Sequence, residues 1–566
     1  MGRSGDLAER SSAPRGPASL GEAGPDDRAV RAWEHHLADE VDPGTLRAEL
    51  ARGDLPSAFH RTAVEAGDRP ALTIGDRSIT HRELDRDAGR VGAWIRDSGV
   101  RPGDRVVLCG SSSVPFVIAH LGILRAGAVA TLAGATLTER ELRHLVGNSA
   151  AVAAFASGDA VGRLDAIAPD TPLRWVSSLE ASRGGPRLEE ALSAGAHLPP
   201  GEPDGGHAGV LGYTSGTTGD PKGARLSHAN LLSSTRSVML AWRWRDDDVL
   251  VHSLPLSHQH GLTGVHATLL AGSRAVIQPS LDPARLSAAI AAERATVLFA
   301  VPALYERLIS WGGGGDISSL RLATSGSAPL APGLWERARK LIGREPVERY
   351  GTTESGLDAS NPYDGPRRPG SVGIPLPGIE IAIADSEGKV LADGVDGEVL
   401  VRGPHVFDGY WRNDRATRQS FRPTGWFRTG DVGRLDPDDG YLSITGRLKE
   451  MIISGGLNVY PREVELVLEG HPAVGRAAVV GVPSQRWGEE VVAFIVPARG
   501  EKIDAEEIRS HARRLLAPHK CPKVVHQAEE VPVNALGKVL RPELVALAER
   551  LRASPQTDRR SKRGTR

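Results

Sequence analysis

The most informative part of the chain is the stretch Tyr213-Thr-Ser-Gly-Thr-Thr-Gly-Asp-Pro-Lys-Gly223. It lies between an apolar run at Val210-Leu211 and a predicted helix that begins near Ser227. Glycines let a backbone close around phosphate, while exposed N–H groups and hydroxyls donate hydrogen bonds to it. A Walker A loop places its lysine directly after glycine, whereas Pro221 precedes Lys222 here. The stretch predicts a nucleotide-phosphate loop of another architecture; composition alone also fits a flexible surface loop.

On both sides of this loop, short apolar runs alternate with Ala- and Leu-rich helical stretches. The runs at 106–109, 129–132, 249–254 and 275–277 predict buried strands. Thr138 and Glu141 have the spacing of a capping box and predict the start of a helix. The alternation predicts an α/β fold with parallel sheets and crossover helices.

Composition divides the chain into four segments. Residues 1–30 predict a disordered lead-in without a secretory signal. Residues 31–447 predict a large domain of several subdomains with parallel and mixed sheets. Residues 448–552 predict a small α+β domain, within the usual domain size. Residues 553–566 predict a basic, disordered tail. Within the large domain, the Gly-, Pro- and acid-rich residues 184–206 predict a connection and the glycines 312–315 a loop.

Composition also excludes several classes of protein. The 566 residues contain 69 Lys and Arg against 70 Asp and Glu, and this net charge of −1 argues against a general nucleic-acid or anionic-membrane binder. The two cysteines, Cys109 and Cys521, exclude a disulfide framework and four-cysteine metal sites. Residues 106–124 and 249–273 are free of Lys, Arg, Asp and Glu, but they predict strands and buried helices rather than membrane spans. A cytoplasmic enzyme is therefore expected.

The glycine-rich loop resembles the phosphate-binding signature of the adenylate-forming superfamily, which includes acyl-CoA synthetases, adenylation domains of peptide synthetases and firefly-type luciferases. Six further stretches resemble the family's motifs in its order: Leu254-Pro-Leu-Ser-His-Gln-His-Gly-Leu262, Ser325-Gly-Ser-Ala-Pro329, Tyr350-Gly-Thr-Thr-Glu354, Thr429-Gly-Asp431, residues 446–461 and Pro532-Val-Asn-Ala-Leu-Gly-Lys538. The resemblance covers residues 55–545. Within this superfamily, the sequence is most similar to the malonyl-CoA synthetase group, in stretches such as Glu348-Arg-Tyr-Gly351 and residues 403–411.

The resemblance implies an AMP-forming acyl-CoA synthetase. Such an enzyme joins a carboxylic acid, here a small one, to ATP as an acyl-adenylate, releases pyrophosphate and transfers the acyl group to CoA. ATP, Mg²⁺ and CoA are thus implied. One alternative is an adenylating ligase that passes its acid to a carrier-protein pantetheine thiol or another nucleophile. Another is a non-catalytic nucleotide-binding scaffold, which the intact Lys538, Glu354, Asp431 and Lys222 disfavour. The oligomeric state is left open.

The resemblance also implies roles for single residues. Lys538 is the adenylation lysine, a charge that the reaction needs because both reactants are anions. Glu354 and Thr218 hold Mg²⁺, which favours carboxylate and phosphate oxygens. Lys449 is the pivot of a mobile small domain. Asp431 accepts hydrogen bonds from the ribose. Nucleotide contacts are implied for Thr214, Ser215, Gly216, Thr217, Thr218, Gly219, Lys222, Ser325, Gly326, Ser327, Ala328, Pro329, Tyr350, Gly351, Thr352, Thr353, Asp431 and Arg447.

Tyr350 fits two roles, stacking on adenine or packing as a core tyrosine.

The acid pocket is implied to contain Ser257, His258, His260 and Gly261. A metal site at these histidines is disfavoured because no acidic or cysteine partner has useful spacing. Ser257 and Thr352 depart from the larger residue and the Met expected at these positions. Pocket changes of this kind alter specificity, so a longer, aromatic or otherwise unusual acid and a non-carboxylate oxyanion are alternatives to a small acid. A second carboxylate on the acid would need a buried cation, for which Arg274 or a pocket histidine are the candidates.

Overall fold

The computed structural model of the protein describes residues 27–37, 42–180, 188–193, 195–201, 204–214, 221–533 and 538–553. Five predicted features lie partly or wholly outside these residues. They are the lead-in up to residue 26, parts of the 184–206 connection, the centre of the phosphate loop at residues 215–220 with Ser215, Gly216, Thr217, Thr218 and Gly219, residues 534–537 of the stretch that ends at Lys538, and the tail from residue 554.

In the described part of the chain, helices and strands alternate along most of the sequence. The helices are α1 Asp27–Glu34, α2 Pro43–Leu50, α3 Leu55–Ala66, α4 His81–Asp97, α5 Val114–Arg125, α6 Glu139–Ser149, α7 Asp159–Ile167, α8 Leu188–Ser193, α9 His228–Ala241, α10 Gln259–Ala271, α11 Pro283–Ala292, α12 Pro302–Trp311, α13 Pro332–Ile342, α14 Asp414–Ser420, α15 Pro461–Glu469, α16 Ala505–Leu515 and α17 Arg541–Ala553.

The strands form four sheets, described below. They are β1 Pro70–Ile74, β2 Arg77–Thr80, β3 Arg105–Gly110, β4 Val129–Gly134, β5 Ala153–Ala156, β6 Trp175–Ser178, β7 Ala208–Thr214, β8 Lys222–Ser227, β9 Val249–His252, β10 Arg274–Ile277, β11 Val297–Ala300, β12 Leu322–Ser325, β13 Val347–Tyr350, β14 Ala359–Ser360, β15 Ile374–Pro375, β16 Glu380–Ala384, β17 Gly397–Arg402, β18 Phe427–Leu435, β19 Leu442–Arg447, β20 Ile452–Ser454, β21 Leu457–Val459, β22 Val474–Ser484, β23 Gly488–Pro497 and β24 Val524–Gln527.

Two large sheets form the centre of the protein. One has nine strands in the order β15-β14-β13-β12-β11-β9-β10-β1-β2, and the other has six in the order β6-β5-β3-β4-β7-β8. The central pairs of both sheets are parallel, and the antiparallel pairs lie toward the ends of the sheets. Apolar side chains from both sheets and the helices between them form one continuous core. This confirms the α/β expectation, because parallel strands covered on both faces have nearly continuous apolar runs.

Two smaller sheets follow. The antiparallel β16-β17-β18-β19 sheet completes the large domain, and the chain then enters a five-stranded sheet built from β20 to β24. This last sheet carries a separate apolar cluster on each face, covered by α15 and α16 on one side and by α17 on the other. A small α+β domain therefore follows the large one, as expected.

Local signals agree with the structure at most points. Thr138 opens α6 with the predicted capping box, and the 312–315 glycines form a loop. Two details differ. The phosphate loop leads into β8 before α9 begins at His228, because residues 222–227 pair with β7, and the predicted connection at 184–206 contains α8. Among the described residues, no helix has both the length and the apolar character to cross a bilayer.

Candidate active site

A cavity of about 250 Å³ lies where the carboxyl ends of β12 and β13 face the small domain. Such edges are where open parallel sheets bind ligands. The cavity brings together residues from five of the sequence motifs, which are far apart in the chain. Those that line it are Ser325, Ser327, Ala328, Pro329, Tyr350, Gly351, Asp431, Arg447 and Lys538.

Asp431, a buried residue of β18, binds two other residues at this cavity through its carboxylate. The Tyr350 hydroxyl donates to its Oδ2 at 2.6 Å, and Arg447 Nε donates to its Oδ1 at 2.6 Å. Burial raises the pKa of the Asp431 carboxyl, while Arg447 and Lys538 oppose that rise. Burial and the nearby Arg447 lower the pKa of the Lys538 ammonium. One buried carboxylate thus holds two cations at the cavity wall, where a bound phosphate would meet them.

Tyr350 packs as a core tyrosine and also reaches the cavity. It is nine-tenths buried at the end of β13, yet its side chain also lines the cavity. Burial and the Asp431 charge raise the pKa of its phenol, which therefore remains a hydrogen-bond donor. Stacking on adenine stays a prediction.

The turn after β12 makes room for a buried cation. Ser325 ends the strand, and Ser327 has the left-handed backbone angle φ = 64°. A Cβ at Gly326 would lie 2.4 Å from Nε of Arg349, so a larger residue there would require the guanidinium to move. Arg349 lies on β13 next to Tyr350 and lines the same cavity.

Arg349 is 6% exposed, and its environment is unusual for an arginine. Within the part of the chain that the structure describes, its Nε and Nη2 have no hydrogen-bond partner. Burial lowers the pKa of Arg349 to about 9, so the side chain is still charged at neutral pH. An unpaired buried cation is costly, because its desolvation is not offset by a partner. This feature indicates a site that an anion completes.

The predicted pocket histidines lie at the start of α10, beside Arg349. His258 is the N-terminal cap residue, His260 lies in the first turn, and Ser257 and Gly261 flank them. His260 Nδ1 shares a hydrogen bond of 3.1 Å with Ser327 Oγ. Burial and the Arg349 charge hold the pKa of His260 well below its ordinary value, so it is neutral. Ser257, His258, His260 and Gly261 are not among the residues that line the cavity, and His260 reaches it through its hydrogen bond to Ser327.

Glu354 lies on the turn that follows Tyr350. Gly351 permits this turn, since a Cβ there would lie 1.9 Å from the carbonyl oxygen of Gly356. The Thr352 hydroxyl pairs with Ser355 Oγ at 2.9 Å. Thr353 packs its methyl group against Gly212 of β7, which places the turn beside the phosphate-loop hairpin.

The Glu354 carboxylate accepts a hydrogen bond of 2.7 Å at Oε1 from the Tyr410 hydroxyl. On the other side of that tyrosine ring, Lys222 Nζ lies 5.3 Å from the ring centroid, within cation–π range. Thr214 and Lys222 are the paired residues at the ends of β7 and β8 that carry the phosphate loop. Tyr410 therefore contacts both Glu354, a predicted metal ligand, and Lys222, a predicted phosphate-binding lysine.

Lys449 is exposed on a short 3₁₀ turn, Leu448–Glu450, that joins β19 to the first strand of the small domain. Its position agrees with a pivot, and its role stays a prediction.

The structure corrects one candidate and adds two residues. Arg274 does not face the cavity, because it lies at the start of β10 and pairs with Glu293 at 2.8 Å. The buried cation is Arg349, which lies with a second charged residue, Glu348, in the buried strand 347–350. Tyr410 belongs to the stretch 403–411, where its ordinary appearance gave no signal of a contact with Glu354.

Two family models match the chain. The model described as AMP-binding enzyme matches residues 59–411, and the model described as AMP-binding enzyme C-terminal domain matches residues 463–538.

Similar proteins agree with these matches. A feruloyl-CoA synthase of Amycolatopsis is 35% identical over 84% of this chain and 95% of its own length. The mitochondrial malonate–CoA ligase of Mus musculus is 32% identical over 90% of this chain and 93% of its own. The crystal structure of ATP-bound MatB from Rhodopseudomonas palustris has a TM-score of 0.81 at 34% identity, covering 88% of this chain and 99% of that one.

Proposed function

The chain belongs to the AMP-binding enzyme family and is an AMP-forming carboxylate–CoA ligase, and we propose that its acid is a small dicarboxylate whose second carboxylate binds Arg349. The observation that supports this most is the buried guanidinium with unpartnered Nε and Nη2 at the cavity wall. Arginine and carboxylate form paired, charge-assisted hydrogen bonds, so such an acid would complete the site.

The position of Arg349 also places the acid near the nucleotide. Arg349 and Tyr350 line the same cavity, and Tyr350 contacts Asp431 on the proposed nucleotide side. An acid bound to Arg349 would therefore lie in the cavity that the nucleotide also enters under this proposal. A malonate–CoA ligase and an oxalate–CoA ligase of Arabidopsis thaliana, 33% identical over 86% of this chain, are among its relatives.

The reaction has two steps. One carboxylate oxygen of the acid attacks the α-phosphorus of ATP, and the bond to the pyrophosphate oxygen breaks. The CoA thiolate then attacks the acyl carbon, and AMP leaves with its electron pair. ATP, Mg²⁺ and CoA are the small molecules of this family's reaction.

Three residues at or beside the cavity have distinct roles in the first step under this proposal. Lys538 provides positive charge where the α-phosphoryl oxygens become more negative in the transition state. Asp431 holds Arg447 and Tyr350 and accepts hydrogen bonds from the ribose on its remaining lone pairs. The neutral His260 fixes Ser327, and so the turn beside the acid.

Glu354 is the proposed Mg²⁺ ligand in the described part of the site. Its carboxylate fits the ion, because Mg²⁺ takes hard oxygen donors and the bond from Tyr410 uses only one of the two oxygens. A bound Mg²⁺ would offset phosphate charge and orient the leaving pyrophosphate.

We also propose that residues 31–447 and 448–552 act as two domains that alternate about Lys449, in the cytoplasm, where ATP and CoA are available. Support comes from the single short turn that joins β19 to β20. In the present orientation Lys538 lies beside Asp431 and Arg447, as the first step requires.

Acid-dependent pyrophosphate release tests the proposal. We expect release with oxalate, malonate, methylmalonate or succinate that turns over only when CoA is added, with the matching acyl-CoA as product. Release that CoA does not accelerate would instead favour transfer to a carrier protein or another nucleophile. Equal or faster release with short monocarboxylic or aryl acids would contradict the dicarboxylate assignment.

A further inference from the structure

Residues 403–411, here called the brace, connect two parts of the site that are distant in sequence. The brace runs beside β8, where Arg225 N donates to Gly409 O at 3.0 Å and Trp411 N donates to Gly223 O at 2.8 Å. On its other side, Phe407 N donates to Glu354 O at 2.8 Å. The brace thus contacts both the strand that begins with Lys222 and the turn that carries Glu354.

Two buried side chains fix the brace in place. Asn230 of α9 donates from Nδ2 to Pro404 O at 2.9 Å and to Val406 O at 2.8 Å. His405 Nε2 bonds Asp358 Oδ1 at 2.8 Å, and both residues are almost fully buried. The backbone from 404 to 407 is therefore ordered before any ligand binds.

Tyr410 is the brace residue whose side chain contacts both Glu354 and Lys222. Its hydroxyl donates to Glu354 Oε1 at 2.7 Å, and Lys222 Nζ lies 5.3 Å from its ring centroid. Its own backbone N–H is held by Thr417 Oγ1 at 2.9 Å, and its ring packs edge-on against Phe407. An ionised carboxylate can only accept hydrogen bonds, so the phenol is the donor in this contact.

We propose that Tyr410 is a positioning residue that sets the Glu354 carboxylate and the Lys222 ammonium for a metal–nucleotide complex. The inference rests on the proposed function, since it assumes that Glu354 binds the metal and Lys222 the phosphates. The phenol fixes the carboxylate through one oxygen and leaves the other for a cation. The ring face holds the ammonium nearby without neutralising it, whereas a carboxylate at position 410 would form an ion pair with it.

A purely structural role is the competing explanation, and Tyr410→Phe separates the two. That variant keeps the ring, its contact with Phe407 and its face toward Lys222, and removes only the hydroxyl. Tyr441 offers a matched control in the large domain. Its hydroxyl also donates at 2.7 Å, to Pro366 O, and its ring also carries a cation, Arg368, at 4.6 Å. Tyr441→Phe thus removes an equivalent bond that does not involve Glu354.

The test uses the full-length enzyme, α,β-methylene-ATP as an uncleavable nucleotide, and Mn²⁺ as the metal probe. Electron paramagnetic resonance of free Mn²⁺ measures metal affinity in the ternary complex, and calorimetry in EDTA measures metal-free nucleotide affinity. We expect Tyr410→Phe to weaken Mn²⁺ about tenfold and leave metal-free nucleotide affinity unchanged, because it loses one hydrogen bond to a charged group. Tyr410→Leu should weaken both, and Tyr441→Phe neither.

Two results would overturn the inference alone: wild-type Mn²⁺ affinity in Tyr410→Phe, or a loss of metal and metal-free nucleotide binding together with a lowered Tm in that variant. A wild-type protein that binds neither nucleotide nor Mn²⁺ would overturn the proposed function, and the inference with it. Thioester formation from preformed acyl-adenylate is a separate measurement. An equal rate in Tyr410→Phe and wild type would support the positioning role.

Discussion

The guanidinium of Arg349 fills the space that a side chain at position 326 would need. A Cβ added to Gly326 would lie 2.4 Å from Arg349 Nε and 2.5 Å from Cζ. Gly326 directly follows β12, and Arg349 lies on the neighbouring parallel strand β13, at the edge that opens into the cavity. Gly326 thus leaves the space that the Arg349 guanidinium occupies. A substitution at either position should therefore affect binding of the acid.

Gly326→Ala should displace Arg349. We expect kcat/KM for the preferred dicarboxylate to fall at least about tenfold, since a misplaced guanidinium loses paired hydrogen bonds. Steady-state pyrophosphate release measures this. Gly147→Ala in α6 is the control, because a Cβ there meets nothing within 4 Å. Unchanged kinetics in Gly326→Ala would show that the Arg349 position does not matter to the acid.

Arg349→Met should stabilise the unliganded protein while removing the anion site. Replacing buried charges by apolar side chains of similar size is often neutral or stabilising, by about 1–4 kcal/mol. Thermal unfolding should show a higher Tm for the variant without ligand. Adding malonate should raise the Tm of the wild type only, because ligands stabilise the state that binds them. A lower Tm for the variant would indicate that Arg349 has a partner in the folded protein that offsets its burial.

Lys538→Ala should separate the two half-reactions. Adenylate formation from ATP and acid should fall by at least about a thousandfold, as expected when charge stabilisation is removed from a transition state. Thioester formation from preformed acyl-adenylate and CoA should be largely spared. Lys502→Ala, at an exposed position of the small domain, is the control and should match wild type. The assignment of Lys538 is wrong if both half-reactions survive.

Glu348 should make stability fall as pH rises. It is buried on β13, and burial raises its pKa from the ordinary 4.5 to about 8. Because the folded state keeps a proton that the unfolded state loses, the stabilisation is complete below pH 4.5 and is lost as pH rises to about 8. Glu348→Gln should reduce the slope of unfolding free energy against pH in that window, measured by urea titration. An equal slope in both proteins would contradict the assignment.

The sequence predicted the parts of the fold and site that depend on local patterns. Apolar runs predicted the parallel strands, and the family resemblance implied that Lys538, Asp431 and Tyr350 contact one nucleotide; all three line the cavity. It could not predict pairs set by strand register. The sequence does not show which buried arginine could bind a second carboxylate. The structure shows that Arg349 on β13 lines the cavity, whereas Arg274 pairs with Glu293. The Tyr410–Glu354 bond likewise spans 56 residues and arises from packing of an irregular segment.

The specificity for a second carboxylate tests the central claim most directly. The measurement is kcat/KM of pyrophosphate release for dicarboxylates and their monomethyl esters, in wild type and in Arg349→Met. Wild type should prefer the best dicarboxylate over its ester by at least about a hundredfold, because an unpaired buried charge costs several kcal/mol. Arg349→Met should abolish or reverse that preference. A wild-type enzyme that uses the ester as well as the diacid would contradict the account.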